Sequence, residues 1–271
     1  MKVLSRIGRL VARASRRSLP ALALLALATA STVRAADTGA VILEGEQAAA
    51  IYARLNAASV DMPIVAIRPA AAGLYAVELA DASAYYATAD GSHLIAGDLY
   101  AVLADGFQNR TEDLRAVRRV EMIDEVKRDD MIVFAPEGET RAVVNVFTDI
   151  DCGFCQRLHR EVPALNEMGV EVRYLAYPRA GIGSGSMDKL VSAWCAEDPR
   201  VALTRLKSGQ PVEPRSCANP VAAHYRLGQR MGVRGTPALF LEDGRMLPGY
   251  MPAAALAAEL GLAPQGTLGG Q

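Results

Sequence analysis

The spacing of apolar positions changes along the chain and predicts its elements segment by segment. Residues 44–58 are Ala-rich, with Ile51 and Leu55 at helical spacing, which predicts a helix. Residues 64–67, 74–79, 85–89 and 93–96 alternate between apolar and polar, which predicts short strands. Asp90-Gly91 lies between the last two and signals a hairpin. Together these segments make a small α+β unit of about 75 residues, whose thin core favours pairing with a second copy.

The period then lengthens. Residues 111–129 are charged, but Leu114, Val117, Met122 and Val126 recur at near-helical spacing, and Thr111 is placed to cap the start. With no Gly or Pro inside, the segment reads as a connecting helix; the alternative is an ordinary helix packed on the second domain. Residues 142–147 form a buried-strand run, residues 154–161 a helix and residues 170–176 a second strand. Strand, helix and strand over about 35 residues predict a βαβ unit with a parallel pair. Pro163 is expected to kink or interrupt that helix. Residues 184–232 read as mainly helical. A strand at 238–241, a turn at Asp243-Gly244, a partner strand at 245–247 and a final helix at 252–260 complete the order. The last ten residues are rich in Gly and Pro and are expected to fray.

Composition adds a location. Lys2, Arg6, Arg9, Arg13, Arg16 and Arg17 precede an apolar run at 20–30, and Val33-Arg34-Ala35 offers small residues for cleavage. Residues 1–35 therefore read as an export signal. The run is about half the ~20 residues a membrane-spanning helix needs. Ser15-Arg16-Arg17 resembles a twin-arginine signal, though an Arg-rich leader produces such pairs by chance and the general secretory route is favoured. Without the leader's seven basic residues, the chain keeps 22 Lys/Arg against 30 Asp/Glu, a net charge of −8. That charge argues against nucleic acid as a partner.

All four cysteines, at 152, 155, 195 and 217, lie beyond the leader, and an even number outside the cytosol points to disulfides. Cys152-Gly153-Phe154-Cys155 stands where a strand passes into a helix. Cys152 is thereby expected at the exposed helix N-terminus, where N–H groups and the helix dipole favour the attacking thiolate. Cys155, one turn on, can resolve a mixed disulfide. Asp151 pulls the other way, because a carboxylate beside the sulfur raises a thiol's pKa. The competing reading is half a zinc site, but Cys195 and Cys217 form no second close pair, so no metal is expected. Gly235-Thr236-Pro237-Ala238 precedes a strand. Pro237 could be an ordinary edge residue; beside a Cys-x-x-Cys it reads as a cis-proline loop that offers the backbone of Thr236 to an extended substrate. His159 reads as a surface residue without a catalytic task, His93 and His224 carry no assignment, and Asn109-Arg110-Thr111 matches a glycosylation acceptor by chance.

FTDIDCGFCQRLH (147–159), VRYLAYPRAG (172–181), WCAEDP (194–199), HYRLGQRMGVRGTPALFLEDGRMLPGYMP (224–252) and, more weakly, ADGSHLIAGDLY (89–100) resemble the periplasmic disulfide isomerases of the DsbC/DsbG family. The resemblance implies an α/β thioredoxin-like catalytic domain with a helical insertion, at 131–271. It also implies a small α+β (cystatin-like) dimerisation domain at 36–110, a linker helix at 111–130 and a V-shaped homodimer. It assigns the nucleophile to Cys152, the resolving thiol to Cys155, the cis-proline to Pro237 with Thr236 before it, and a structural disulfide to Cys195 and Cys217. That bond, closing a loop of 22 residues, would contribute roughly 3 kcal/mol on the chain-entropy model. The implied partners are misfolded disulfide-containing proteins and a DsbD-type membrane reductase, with no cofactor. Phe154 stands where the family often has Tyr, and Gln156 where relatives can carry His. Three rivals are a DsbG-like reductase of sulfenylated cysteines, a holdase using the dimer cleft, and a monomeric DsbA-like oxidase. Residues 36–110 argue against the oxidase.

Overall fold

The computed structural model describes residues 41–58 and 62–262; the export signal and nearly all of the tail read from sequence lie outside them. β1 (Ile42–Leu43), α1 (Ala48–Ala58), β2 (Ile64–Pro69), β3 (Leu74–Leu79), β4 (Ala84–Thr88) and β5 (Leu94–Ile95) come first. The strands form one sheet in the order β1-β2-β3-β4-β5, with only β1 and β2 parallel. α1 lays Ala48, Ile51 and Leu55 against Ile67, Val77 and Ala87. It begins later than the apolar spacing implies because Gly45, at φ 89°, turns the chain first. β6 (Tyr100–Leu103) and β7 (Gly106–Asn109) then form a separate hairpin. The sequence reading missed it, although Asp105-Gly106 carries the same turn signal as Asp90-Gly91. Its apolar residues face solvent: Val102 is 77% and Phe107 75% exposed, so no core-facing alternation marks the strands.

α2 (Arg110–Asp124) combines both sequence expectations for this segment. Its start is held by the small sheet, where the buried Thr111 hydroxyl meets Tyr86 Oη at 2.7 Å and accepts Leu99 N–H at 2.7 Å. The cap is therefore not Thr111 but Asn109, which accepts Glu112 N–H at 3.0 Å. The far end of α2 packs on the second sheet through Met122 and Ile123, beside Phe147 and Phe240. The crossing is close at Gly244, where a Cβ would lie 2.0 Å from Ala116 O, and where φ is +80°. Only glycine fits there.

The second sheet is built from β8 (Ile132–Phe134), β9 (Ala142–Thr148), β10 (Val170–Ala176), β11 (Ala238–Leu241) and β12 (Met246–Pro248), in the order β12-β11-β9-β10-β8. β9 and β10 are parallel, in register from Ala142↔Val170 to Thr148↔Ala176, and the remaining pairs are antiparallel. Every residue of β9 is buried, as a central strand covered on both faces requires. α3 (Gly153–Glu167), α4 (Gly185–Trp194), α5 (Pro199–Lys207) and α7 (Ala253–Glu259) pack Leu158, Leu165, Leu190, Leu203 and Leu256 into one core with Val144, Val146 and Tyr174. α6 (Val221–Arg230) covers the opposite face, placing Leu227 with Phe147, Leu175 and Phe240.

Pro163 does not interrupt α3, contrary to the sequence expectation. Val162 and Leu165 dock into the core on either side of it, so packing holds the turn that the missing N–H would otherwise support. His159 is also not a surface residue. It is buried, with Nδ1 3.0 Å from Tyr174 Oη and Nε2 3.0 Å from Thr204 Oγ1. No helix among the described residues is long and apolar enough to cross a membrane.

Candidate active site

The parallel pairing of β9 and β10 brings their C-terminal ends together, and the segments leaving those ends build the site. After β9 the chain turns through Asp149 and Asp151, and Cys152 becomes the N-cap of α3. Asp149 is the hub of this turn. It accepts Asp151 N–H at 2.9 Å, Arg179 N–H at 2.9 Å, Arg179 Nε–H at 3.0 Å and the Ser186 hydroxyl. Burial alone would raise its carboxyl; the hydrogen bonds outweigh burial and hold it below the usual range.

Cys152 and Cys155 are free thiols on the first turn of α3. Cys152 is 3% exposed, so the expectation of an exposed sulfur is corrected. The loop before β11 covers it: the thiol donates to Thr236 O at 3.1 Å. The Thr236–Pro237 bond is cis. Sequence positions 152 and 236 thus meet across the site. Thr236 Oγ1 is buried without a hydrogen-bond partner, within reach of charge developing on the sulfurs. A cleft of about 560 Å³ borders this loop, lined among others by Ala82, Arg115, Arg119, Thr236, Pro237 and Gly249.

The two thiols are driven apart in acidity. Cys155 donates to the Cys152 sulfur, and this is the largest influence pulling Cys152 down, to about 5. Burial opposes it, while Thr236, the Cys155 N–H and the Arg179 guanidinium add to it. Cys155 is pushed far up, first by burial and then by that same hydrogen bond; the Lys207 ammonium pulls against both. Such a pair holds one thiolate ready to attack and one thiol in reserve.

Asp151, expected from sequence to oppose the thiolate, is paired with Lys189 Nζ at 2.7 Å and is half exposed. Its charge is largely answered there, and Arg179 supplies the nearby cation. Sequence reasoning assigned Arg179, Lys189 and Lys207 no task. Arg179 had a usable signal, because it comes just after the strand parallel to β9 and must emerge at the same end of the sheet. Lys189 and Lys207 had none, since nothing in a helical stretch of sequence ties either residue to the dithiol. Cys195 and Cys217 are bonded to each other at 2.03 Å, so neither can join Cys152 as a ligand. Among the described residues no group of three or more His, Cys, Asp or Glu side chains is placed to hold a metal.

Comparison with known proteins gives the site its context. Residues 128–263 match the model of the thioredoxin-like domain, and residues 43–112 match that of the disulfide bond isomerase protein N-terminal domain. The thiol:disulfide interchange protein DsbC of Dickeya dadantii is 41% identical over 175 residues, covering 65% of this chain and 71% of that protein. The protein of the same name from Escherichia coli K12 is 37% identical over 186 residues, covering 69% and 76%. A disulfide interchange protein of Neisseria gonorrhoeae, known from its crystal structure, is 32% identical with a TM-score of 0.45, covering 50% of this chain and 96% of that one.

Proposed function

The chain belongs to the DsbC family of thiol:disulfide interchange proteins and is a disulfide isomerase of thioredoxin-like fold, and from that premise we propose that Cys152 attacks incorrect disulfides of exported proteins in the periplasm. The observation that carries this reading is a pair of free thiols at one helix N-terminus, with Cys152 at the cap facing Thr236 O at 3.1 Å beside the cis Thr236–Pro237 bond. The Cys152 thiolate attacks one sulfur of the substrate disulfide; a mixed disulfide forms and the other substrate sulfur leaves as thiolate. In isomerisation a substrate thiol then attacks the bonded substrate sulfur and displaces Cys152. In reduction Cys155 attacks Cys152 and the substrate leaves with both electrons. An oxidised Cys152–Cys155 pair is returned to the dithiol by two electrons from a DsbD-type membrane reductase.

The cleft beside Thr236-Pro237 supports a polypeptide substrate lying extended along that loop. Residues 36–110 serve as the dimerisation domain, 111–130 as the linker and 131–271 as the catalytic domain. The β6–β7 hairpin, with Tyr100, Val102, Leu103 and Phe107 exposed, supports pairing with a second copy. Cys195–Cys217 acts as a structural staple within the helical insertion. The periplasmic location rests on the basic and apolar pattern of residues 1–35. Refolding of scrambled ribonuclease tests the core of the reading: Cys152→Ser is expected to abolish isomerisation, and full activity in that variant overturns it.

A further inference from the structure

Beneath the dithiol lies a buried cation that the thiol exchange described so far does not use. Lys207, the last residue of α5, is 3% exposed. Its ammonium donates to Thr148 Oγ1 at 2.7 Å and to Asp149 O at 2.7 Å, both neutral oxygens at the end of β9. A buried ammonium without a carboxylate is costly. The nearest acids are engaged elsewhere, Asp149 with Arg179 and Ser186, Asp151 with Lys189.

The packing of α5 on α3 shows where the charge is aimed. His159 Nε2 meets Thr204 Oγ1 at 3.0 Å. One turn towards the N-terminus of α3 from His159 is Cys155; one turn towards the C-terminus of α5 from Thr204 is Lys207. Lys207 bonds Asp149 O, and the Cys155 sulfur meets the backbone of the same Asp149, so ammonium and thiol face each other across that turn. The titratable groups facing this point are Cys155 and His159 from α3, Cys152 at its cap, Tyr174 from β10, and Asp149 and Asp151 from the turn after β9. Burial pushes His159 down to about 4 and keeps Tyr174 protonated, so at neutral pH neither carries charge. Burial pushes Lys207 itself down to about 8, with Cys155 foremost among the groups pulling it back up.

We propose that Lys207 is a positioning residue for the resolving step: its charge makes Cys155 reactive and so sets how often the enzyme leaves its substrate by reduction rather than by isomerisation. The inference rests on the roles proposed for Cys152 and Cys155. In the mixed disulfide Cys152 carries no charge, and Lys207 has Cys155 as its one ionisable neighbour whose charge changes in the reaction. The Cys155 thiol ionises against the ammonium and attacks Cys152. The Cys155–Cys152 bond forms, the Cys152–substrate bond breaks, and the electron pair leaves on the substrate sulfur. That sulfur takes from solvent the proton that Cys155 released. The dithiol is oxidised by two electrons and the substrate disulfide is reduced by two.

Rapid mixing of the reduced chain with 5,5′-dithiobis(2-nitrobenzoate) tests this. The first release of thionitrobenzoate reads the attack of Cys152, and the second reads the attack of Cys155 on the mixed disulfide. In Lys207→Met the second phase is expected to slow about tenfold at pH 7, one pKa unit's worth, and its pH midpoint to rise. The first phase is expected to move far less. Lys207→Arg is expected to restore much of the second phase. Lys207→Met is expected to fold, because an apolar chain of similar length replaces a costly buried charge. Lys207→Gln, which keeps donors for Thr148 and Asp149, serves as the second uncharged variant. An unchanged second phase and pH midpoint in either folded uncharged variant overturns the proposal. Loss of the first phase from wild-type chain on Cys152→Ser substitution is required by the underlying reading; if that phase persists, it is the reading of Cys152 that fails.

Discussion

Cys152 owes its low pKa first to Cys155, then to Thr236, the Cys155 N–H and Arg179, all working against burial. The order can be measured through the pH midpoint of Cys152 alkylation by iodoacetamide. Cys155→Ala is expected to raise that midpoint most, Thr236→Val less and Arg179→Gln least; a reversed order would mean that charge, not hydrogen bonding, dominates. The sign for stability comes from the same shift. A thiol lowered from about 9 to about 5 on folding stabilises the reduced fold above pH 9, and the contribution is lost as pH falls through about 5. At this scale the dithiol itself was legible, because its chemistry depends on a spacing of three residues at a strand-to-helix junction. The residues that tune it were not. Arg179, Lys189 and Lys207 act across 27, 37 and 55 positions of sequence, and only the closure of β9 on β10, of α4 on the turn after β9 and of α5 on α3 brings them in. Asp151 looked like an opponent of the thiolate because Lys189 could not be seen beside it.

Elements were readable where a periodic apolar face meets a core, as in the βαβ unit and the β11–β12 pair. They were misread where that link fails. The β6–β7 hairpin shows its apolar side chains to solvent, so its pattern pointed to no core. At Pro163, tertiary packing overrides a local breaker. This residue is exposed, so Pro163→Ala opens no cavity while restoring a backbone donor to the helix. The helix gain of up to about 3 kcal/mol is partly offset by the freer unfolded chain. The expected net is a stabilisation of about 2 kcal/mol in urea unfolding, with both thionitrobenzoate phases unchanged. A destabilised Pro163→Ala would show that α3 is built around the proline rather than in spite of it.

For the whole molecule, the open question is what covers the hairpin. Val102 and Phe107 lie directly opposite each other across β6 and β7 and are the most exposed large apolar side chains among the described residues. Isolated exposed apolar residues are ordinary, but Tyr100, Val102 and Phe107 share one face of a ten-residue hairpin and form a patch. The small sheet behind it has little core of its own. A second copy brings an identical apolar hairpin to cover it, and a two-fold interface would use the same hairpin twice. Fully burying one such side chain is worth about 1.5–3 kcal/mol, so a single position counts for about 3–6 kcal/mol in a symmetric dimer. Phe107→Asp is therefore expected to weaken dimerisation by roughly two to four powers of ten and to sediment as a monomer at micromolar concentration. Its dithiol lies in a separate sheet and should keep both thionitrobenzoate phases. Refolding of scrambled ribonuclease should nevertheless fall, because a lone protomer has thiol chemistry without an opposing surface to hold an unfolded chain. Phe107→Asp that remains dimeric would move the interface elsewhere. A monomer with full isomerase activity would show that the paired architecture is not needed for the reaction.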